Sequence, residues 1–167
     1  SIHKELGGKL VPFAGWHMPI HFKGVIQEHN CVRDGVGIFD VSHMGEIEIT
    51  GPEAKNLVQY LLTNDIESMQ NNQALYTLMC LETGGVIDDL LVHRFSEDHY
   101  FLCVNASNSD KDFQWILKNA GNFNVSVKNT SQQTAQLAVQ GKHSESLIQK
   151  QCDVPLSEIE YYHFRKA

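Results

Sequence analysis

The sequence predicts an α+β fold, with antiparallel sheets and helices packed on them. Three observations carry that expectation. From Glu46 to Asn129 the segments read strand, helix, strand, hairpin, helix, strand. The strand segments alternate apolar and polar residues, and the helical ones carry an apolar stripe. No linker rich in Pro, Gly or Ser, no internal repeat and no low-complexity segment interrupts the series.

Each element follows from local chemistry. In "KGVIQEHNCVRDGVG", Val25, Ile26, His29 and Val32 recur at helical spacing, and Gly35 and Gly37 supply a stop, which predicts a helix over 23–34. "EIEIT" alternates Ile47 and Ile49 against Glu46 and Glu48, the period of a half-buried strand. Thr50-Gly51-Pro52-Glu53 has capping-box spacing, and Ala54, Leu57, Val58, Leu61 and Leu62 then form one stripe. "ALYTLMC" reads as a strand, and "VIDDLLVHRF" and "HYFLCV" read as hairpin arms joined through Ser96, Glu97 and Asp98. "SDKDFQWILKNA" predicts a helix that opens with Ser109 three residues before Asp112 and buries Phe113, Ile116 and Leu117. "FNVSVKN" is another strand, and "TAQLAVQG" and "HSESLIQKQ" begin a further strand and helix with no complete domain after them. The chain opens on Ser rather than Met and stops in mid-pattern, so the reading is of a fragment in which 1–45 and 131–167 are parts of one incomplete domain and 46–130 is a second, largely complete one.

Composition narrows the function. The 167 residues are 42% hydrophobic and carry a formal charge of -7, with no run of Lys and Arg, which argues against a nucleic-acid groove or an anionic membrane surface as partner. No apolar run reaches the roughly 18 residues of a spanning helix. Four cysteines without a C-x-x-C pair point to a reducing compartment.

The chemistry concentrates in "LETGGVIDDLLVHR", where two adjacent carboxylates interrupt an apolar strand. Alternation puts Ile87, Asp89, Leu91, His93 and Phe95 on one face and Val86, Asp88, Leu90, Val92 and Arg94 on the other, so the two carboxylates cannot share one proton. A carboxylate on an apolar face needs a partner, and burial favours its protonated form. One reading makes Asp88 and Asp89 turn-ending residues that bond backbone N–H groups after Gly84-Gly85; the other makes one of them functional. His17 and His21 have the i, i+4 spacing of zinc ligands, but Pro19 opposes a helix and metal binding is not expected. Ser42-His43 lacks the G-x-S-x-G elbow of a nucleophile, and no glycine motif for phosphate occurs. Phe13, Trp16 and Tyr76 could wall a flat heterocycle or simply pack.

"VPFAGWHMPIHFKGVIQEH", "VRDGVGIFDVSHMGEIEITGPEA", "LLTNDI", "YTLMCLETGGVIDDLLVHR", "VNASNSDKDFQWI" and "YYHFRK" together resemble the aminomethyltransferase, or T-protein, family of the glycine cleavage system, in family order over nearly the whole chain. The combination of "FDVSHMGE" with "GGVIDDL" is the specific part; composition and periodicity did not point there. The resemblance implies part of a three-domain cloverleaf. It also implies transfer of an aminomethyl group from the lipoyl arm of the H-protein to tetrahydrofolate, with release of ammonia and formation of 5,10-methylenetetrahydrofolate. By the same resemblance, Asp89 is the catalytic carboxylate, held in a dry folate pocket where it favours a cationic intermediate or takes a proton from the attacking amine. Met44, Tyr76, Leu91 and Tyr161 line the folate with Asp89, Asn105 is a neighbour, and His93 stands where family members often carry Tyr. The family chain is longer, and its further acidic and Arg residues lie beyond "YYHFRK". Loops such as "NNQAL" and "FSEDH" would rim the H-protein entrance. The setting implied is bacterial cytoplasm or mitochondrial matrix. The alternatives are a non-catalytic folate-binding module of the superfamily, of the iron–sulfur cluster assembly type, or a folate-dependent demethylase.

Overall fold

The computed structural model describes residues 1–167, which form two compact units. The first unit comprises Ser1–His43, Gln136–Glu158 and Ala167, and the second comprises Met44–Ala135 and Ile159–Lys166. The segment Ile159–Lys166 therefore falls in the second unit together with 131–135, apart from Gln136–Glu158, although sequence order grouped all of 131–167 with the first.

The first unit begins with α1 (Ile2–Glu5) and a hairpin of β1 (Lys9–Phe13) and β2 (Trp16–His21). Its two-residue turn, Ala14-Gly15, has φ of 46° and 83°, the left-handed geometry that matches strand twist. Sequence reasoning passed over this hairpin, and it places His17 and His21 on a strand. Next comes α2 (Val25–Asp34), whose first turn is capped from within: Glu28 Oε1 accepts the backbone N–H groups of Phe22, Lys23 and Gly24 at 2.7, 2.5 and 2.9 Å. Then β3 (Gly37–Asp40) will pair antiparallel with a strand contributed from the end of the chain.

In the second unit β4 (Gly45–Thr50) leads to α3 (Ala54–Leu61), and β5 (Gln73–Cys80), β6 (Val86–Ser96) and β7 (His99–Val104) follow as a meander. A single helical turn at Ala106–Asn108 runs into α4 (Ser109–Ala120), and β8 (Ser126–Asn129) completes the sheet. The chain then returns to the first unit as β9 (Leu137–Gln140), the partner of β3, and α5 (Ser144–Ile148). The five-stranded sheet has the order β5-β6-β7-β4-β8, antiparallel throughout.

Both longer helices of this unit cover one sheet face. Leu57, Val58 and Leu61 from α3 and Ile116 from α4 meet Ile47, Ile49, Met79, Leu90, Val92, Tyr100, Leu102 and Val104, all buried. At about 25 cal/mol per Å2 of apolar surface removed from water, this shared face is the main stabilising term of the unit. The buried core lies wholly within it, while Ile2, Leu6, Val25, Ile26, Ile38 and Leu137 of the first unit are exposed.

Three local expectations need correction. Thr50–Glu53 is not a capping box: α3 starts at Ala54 without a side-chain cap, and the Glu53 carboxylate accepts Asn124 N–H at 2.7 Å instead. Leu117 is 40% exposed rather than buried. Glu46 is 1% exposed although it alternates with the helix-facing Ile47 and Ile49, because it sits on the interior strand β4 between β7 and β8 with Ser131 bonded to its backbone, so that side of "EIEIT" is not fully solvated. No helix is long and apolar enough to cross a membrane.

Candidate functional site

The Gly84-Gly85 turn is closed by backbone bonds, with Leu81 N–H donating to Gly85 O at 2.8 Å and Gly84 N–H to Leu81 O at 2.9 Å. Asp88 and Asp89 are therefore not its caps; they lie inside β6, where strand alternation sends them to opposite faces. Asp88 falls on the helix-covered face and is 4% exposed, while Asp89 falls on the open face.

The buried carboxylate is held from the loop after β7. Asp88 accepts Asn105 N–H at 3.0 Å, Asn105 Nδ2 at 2.9 Å and Asn108 Nδ2 at 2.6 Å. Burial works against its charge, but hydrogen bonds from Asp112, Asn105 and Asn108 outweigh burial and hold the carboxyl below the usual range. This loop can approach the sheet because Gly45 stands beside it: a Cβ there would meet Ser109 Cβ and Val104 Cγ2, each at 2.7 Å.

On the open face Asp89 is held from two sides. Tyr76 O–H donates to Asp89 Oδ2 at 2.6 Å, and Asn105 Nδ2 reaches Asp89 Oδ1 at 3.1 Å and Asp89 O at 3.0 Å. The bond is short because the acceptor is a carboxylate, and that carboxylate holds the Tyr76 phenol above its ordinary pKa. Leu91 pairs with Tyr76 on β5 and Cys103 on β7, which puts it next to Asp89 on the same face. Met44 precedes Gly45, whose partner is Val104, so Met44 and Asn105 flank one end of the β4–β7 ladder.

Two other residues take different roles. Tyr161 is 89% exposed, its ring edge-on to Tyr162 at 4.7 Å, and it belongs to a tail that lengthens the sheet beyond edge strand β5: Ala74 N–H donates to Tyr162 O at 2.7 Å and Phe164 N–H to Asn72 O at 2.9 Å. His93 sits between Phe101 and Phe164, at ring distances of 5.8 and 5.6 Å, with Nδ1 3.3 Å from the accepting Phe101 carbonyl. Burial pushes its pKa down, against the opposing effect of that bond, so it packs as a neutral ring.

The dry surroundings anticipated for Asp89 are found, within this chain, at Asp88. Two clefts open elsewhere in the unit, one lined by Tyr60, Leu62, Cys80 and Trp115 and the other by Val86, Ile87, Lys111 and Trp115; neither includes Asp89. What the open face offers is a carboxylate of fixed orientation beside an apolar shelf of Tyr76, 51% exposed, and Leu78, 37% exposed. That pairing suits a flat heterocycle bearing N–H groups: the ring has an apolar surface to cover, and the carboxylate accepts from its edge. Ser42 and His43 form no nucleophile pair. Ser42 Oγ accepts Gln136 N–H at 3.0 Å, and the His43 ring lies edge-on to Phe13 at 5.6 Å.

Sequence reasoning named Asn105 but missed Asn108 and Asp112 as partners of Asp88. Their spacing held the signal: Asn105, Asn108 and Asp112 recur at intervals of three and four, so one face of the turn and helix after β7 presents all three.

An antiparallel sheet with helices on one face and a tethered carboxylate on the other defines a class of α+β site rather than one reaction. The sequence profile described as the GCVT N-terminal domain matches residues 1–167, and the chain belongs to that family. It is 51% identical over 163 residues to the aminomethyltransferase of Alkaliphilus oremlandii, covering 98% of this chain and 44% of that protein. The aminomethyltransferase of Clostridium botulinum strain Loch Maree is 51% identical over 166 residues, with 99% and 45% covered. The crystal structure of glycine cleavage system aminomethyltransferase T from Bartonella henselae superimposes with a TM-score of 0.87 at 32% identity, over 97% of this chain and 44% of that one. The chain thus spans somewhat under half the length of the relatives it matches.

Proposed function

We propose that this chain is the N-terminal portion of a tetrahydrofolate-dependent aminomethyltransferase, which moves an aminomethyl group from the lipoyl arm of an H-protein to tetrahydrofolate and releases ammonia and 5,10-methylenetetrahydrofolate. The observation that carries the reading is the tethered Asp89, with both carboxylate oxygens bonded and its face open beside Tyr76 and Leu91, in a chain of this family. In this reading Asp89 is the catalytic carboxylate. Its fixed charge favours positive charge developing beside it, or takes a proton from the attacking amine, with no reorientation at the moment of reaction. Tyr76 and Asn105 hold that carboxylate, and Met44, Leu91 and Tyr161 complete this chain's share of the folate-lining surface. The exposed position of Asp89 and Tyr161 fits a site whose remaining walls come from the other half of the protein, which also supplies the dry surroundings. The first unit is then one part of a domain completed there.

The experiment is reconstitution. The intact native protein, given aminomethylated H-protein and tetrahydrofolate, should form methylenetetrahydrofolate and ammonia in equal amounts. Folate binding without product would instead support the non-catalytic module.

A further inference from the structure

Beneath the tethered Asp89 lies an acid that the proposed reaction does not use. Asp112, on the first turn of α4, is 0% exposed, and neither carboxyl oxygen meets an N–H or O–H donor of fixed position. The Lys111 ammonium stands 4.0 Å away and is committed to the Ile87 carbonyl at 2.6 Å. The group Asp112 does face is the carboxyl of Asp88. Two carboxyl groups in contact inside a protein are bonded only when a proton lies between them. Donor count decides which one carries it: Asp88 already accepts three N–H bonds, the requirement of an anion, and Asp112 accepts none.

We propose that Asp112 is a positioning residue: it stays a neutral acid whose O–H donates to the Asp88 carboxylate, so that Asp88 holds Asn105 and Asn105 holds Asp89. The relay is continuous. Asn105 Nδ2 lies 2.9 Å from Asp88 Oδ1, 3.0 Å from Asp89 O and 3.1 Å from Asp89 Oδ1, so one amide spans the buried carboxylate and the open one. Ionising Asp112 would set two buried negative charges against each other and loosen the anchor of Asn105.

The groups acting on Asp112 agree with this. Burial pushes it up to about 8, and the Asp88 carboxylate adds to the rise while Lys111 opposes it. No other charge faces it from the packed elements. The residues of β4, β7 and α3 on that side are apolar apart from Tyr100, whose charged neighbours are Arg94, Lys55 and Glu97. The sign follows. Asp112 binds its proton more tightly folded than unfolded, where its pKa is about 3.9, so its stabilising contribution is complete below about 4 and is lost as pH rises toward about 8. Asp88 works in the opposite sense, and its contribution is lost as pH falls below about 4.

The role in transfer rests on the function proposed above; the protonation does not. Infrared difference spectra of the intact protein, in a Glu46→Gln background because Glu46 is also buried, should show a protonated carboxylic-acid carbonyl at pH 7 that Asp112→Asn removes. Its absence overturns the proposal. Crystal structures supply the second arm: Asp112→Asn, whose amide can still donate to Asp88, should keep Asn105 within hydrogen-bond distance of Asp89, and Asp112→Leu should lose that contact. An unmoved Asn105 in the Leu variant overturns the positioning role. In the transfer assay, kcat of the wild type should fall above about pH 8. Asp112→Asn should abolish that alkaline limb and stay within about 3-fold of wild type at pH 7, and Asp112→Leu should lose about 10-fold in kcat. An alkaline limb unchanged in Asp112→Asn counts against the relay. If the wild type transfers nothing, the function is wrong, while the spectra and structures still decide the acid pair.

Discussion

Asp88→Asn should separate the buried carboxylate from its exposed neighbour. Asp88 gathers three N–H donors, at 3.0, 2.9 and 2.6 Å, in a site that is 4% exposed. An asparagine there offers a single carbonyl oxygen and turns an amide N–H toward the remaining donors. One buried donor then loses its partner, at about 1–3 kcal/mol, and the others lose the charge that strengthened them, at about 1 kcal/mol. Together these leave a net loss of about 2–4 kcal/mol. Urea unfolding of the intact native protein, followed by far-ultraviolet circular dichroism, reads the change directly. With a slope of about 1–3 kcal/mol/M, the midpoint should fall by about 1–2 M. Asp89→Asn is the control, since its side chain is exposed and the Tyr76 O–H still finds a carbonyl; its stability should stay within about 0.5 kcal/mol. A midpoint for Asp88→Asn that coincides with wild type at unchanged slope would refute the assignment of Asp88 as the buried anchor.

Two further outcomes follow from the same geometry. Tyr76→Phe removes the 2.6 Å bond to Asp89 from a half-exposed site, so stability should hardly move while transfer slows by about 10-fold; a variant with wild-type kcat would free Tyr76 from any part in holding Asp89. Glu46 is buried with neither carboxylate oxygen in a donor's reach, and burial raises its pKa against a contribution from Ser131, so its stabilising contribution is lost as pH rises through the folded value. Glu46→Gln should therefore gain on the order of 1 kcal/mol relative to wild type at pH 7 and little at pH 4; parallel pH–stability curves would contradict that sign.

The regular elements of the second unit were legible because one physical signal governs each. Apolar alternation in 86–95 reports which residues face the helices, and it separates Asp88 from Asp89 without any long-range information. The stripe Leu57, Val58, Leu61 reports the buried side of α3 in the same way. What remained hidden depends on contacts distant in sequence. Glu46 looks solvated until β7 and β8 close around β4, and Asp112 reads as a first-turn acid of α4 until Asp88, 24 positions earlier, is folded against it. The capping box failed for a related reason: Gly51 N–H donates to Asp98 O and Glu53 is drawn to Asn124, partners that no local pattern announces. The tail 159–166 pairs beside β5, which sequence order alone does not indicate. Of the candidate site, Asp89 and Asn105 were named from a family resemblance, and the bonds that tie them to Tyr76 and to each other became visible only with the sheet register.

The role of Asp89 is decided by its own substitution. Asp89→Asn in the intact native protein keeps size and hydrogen-bonding shape and removes the charge on the open face of β6. Formation of methylenetetrahydrofolate from aminomethylated H-protein should slow by about 100-fold or more, with folate affinity and unfolding midpoint close to wild type. Near-normal turnover in a well-folded Asp89→Asn protein would contradict a catalytic carboxylate at this position.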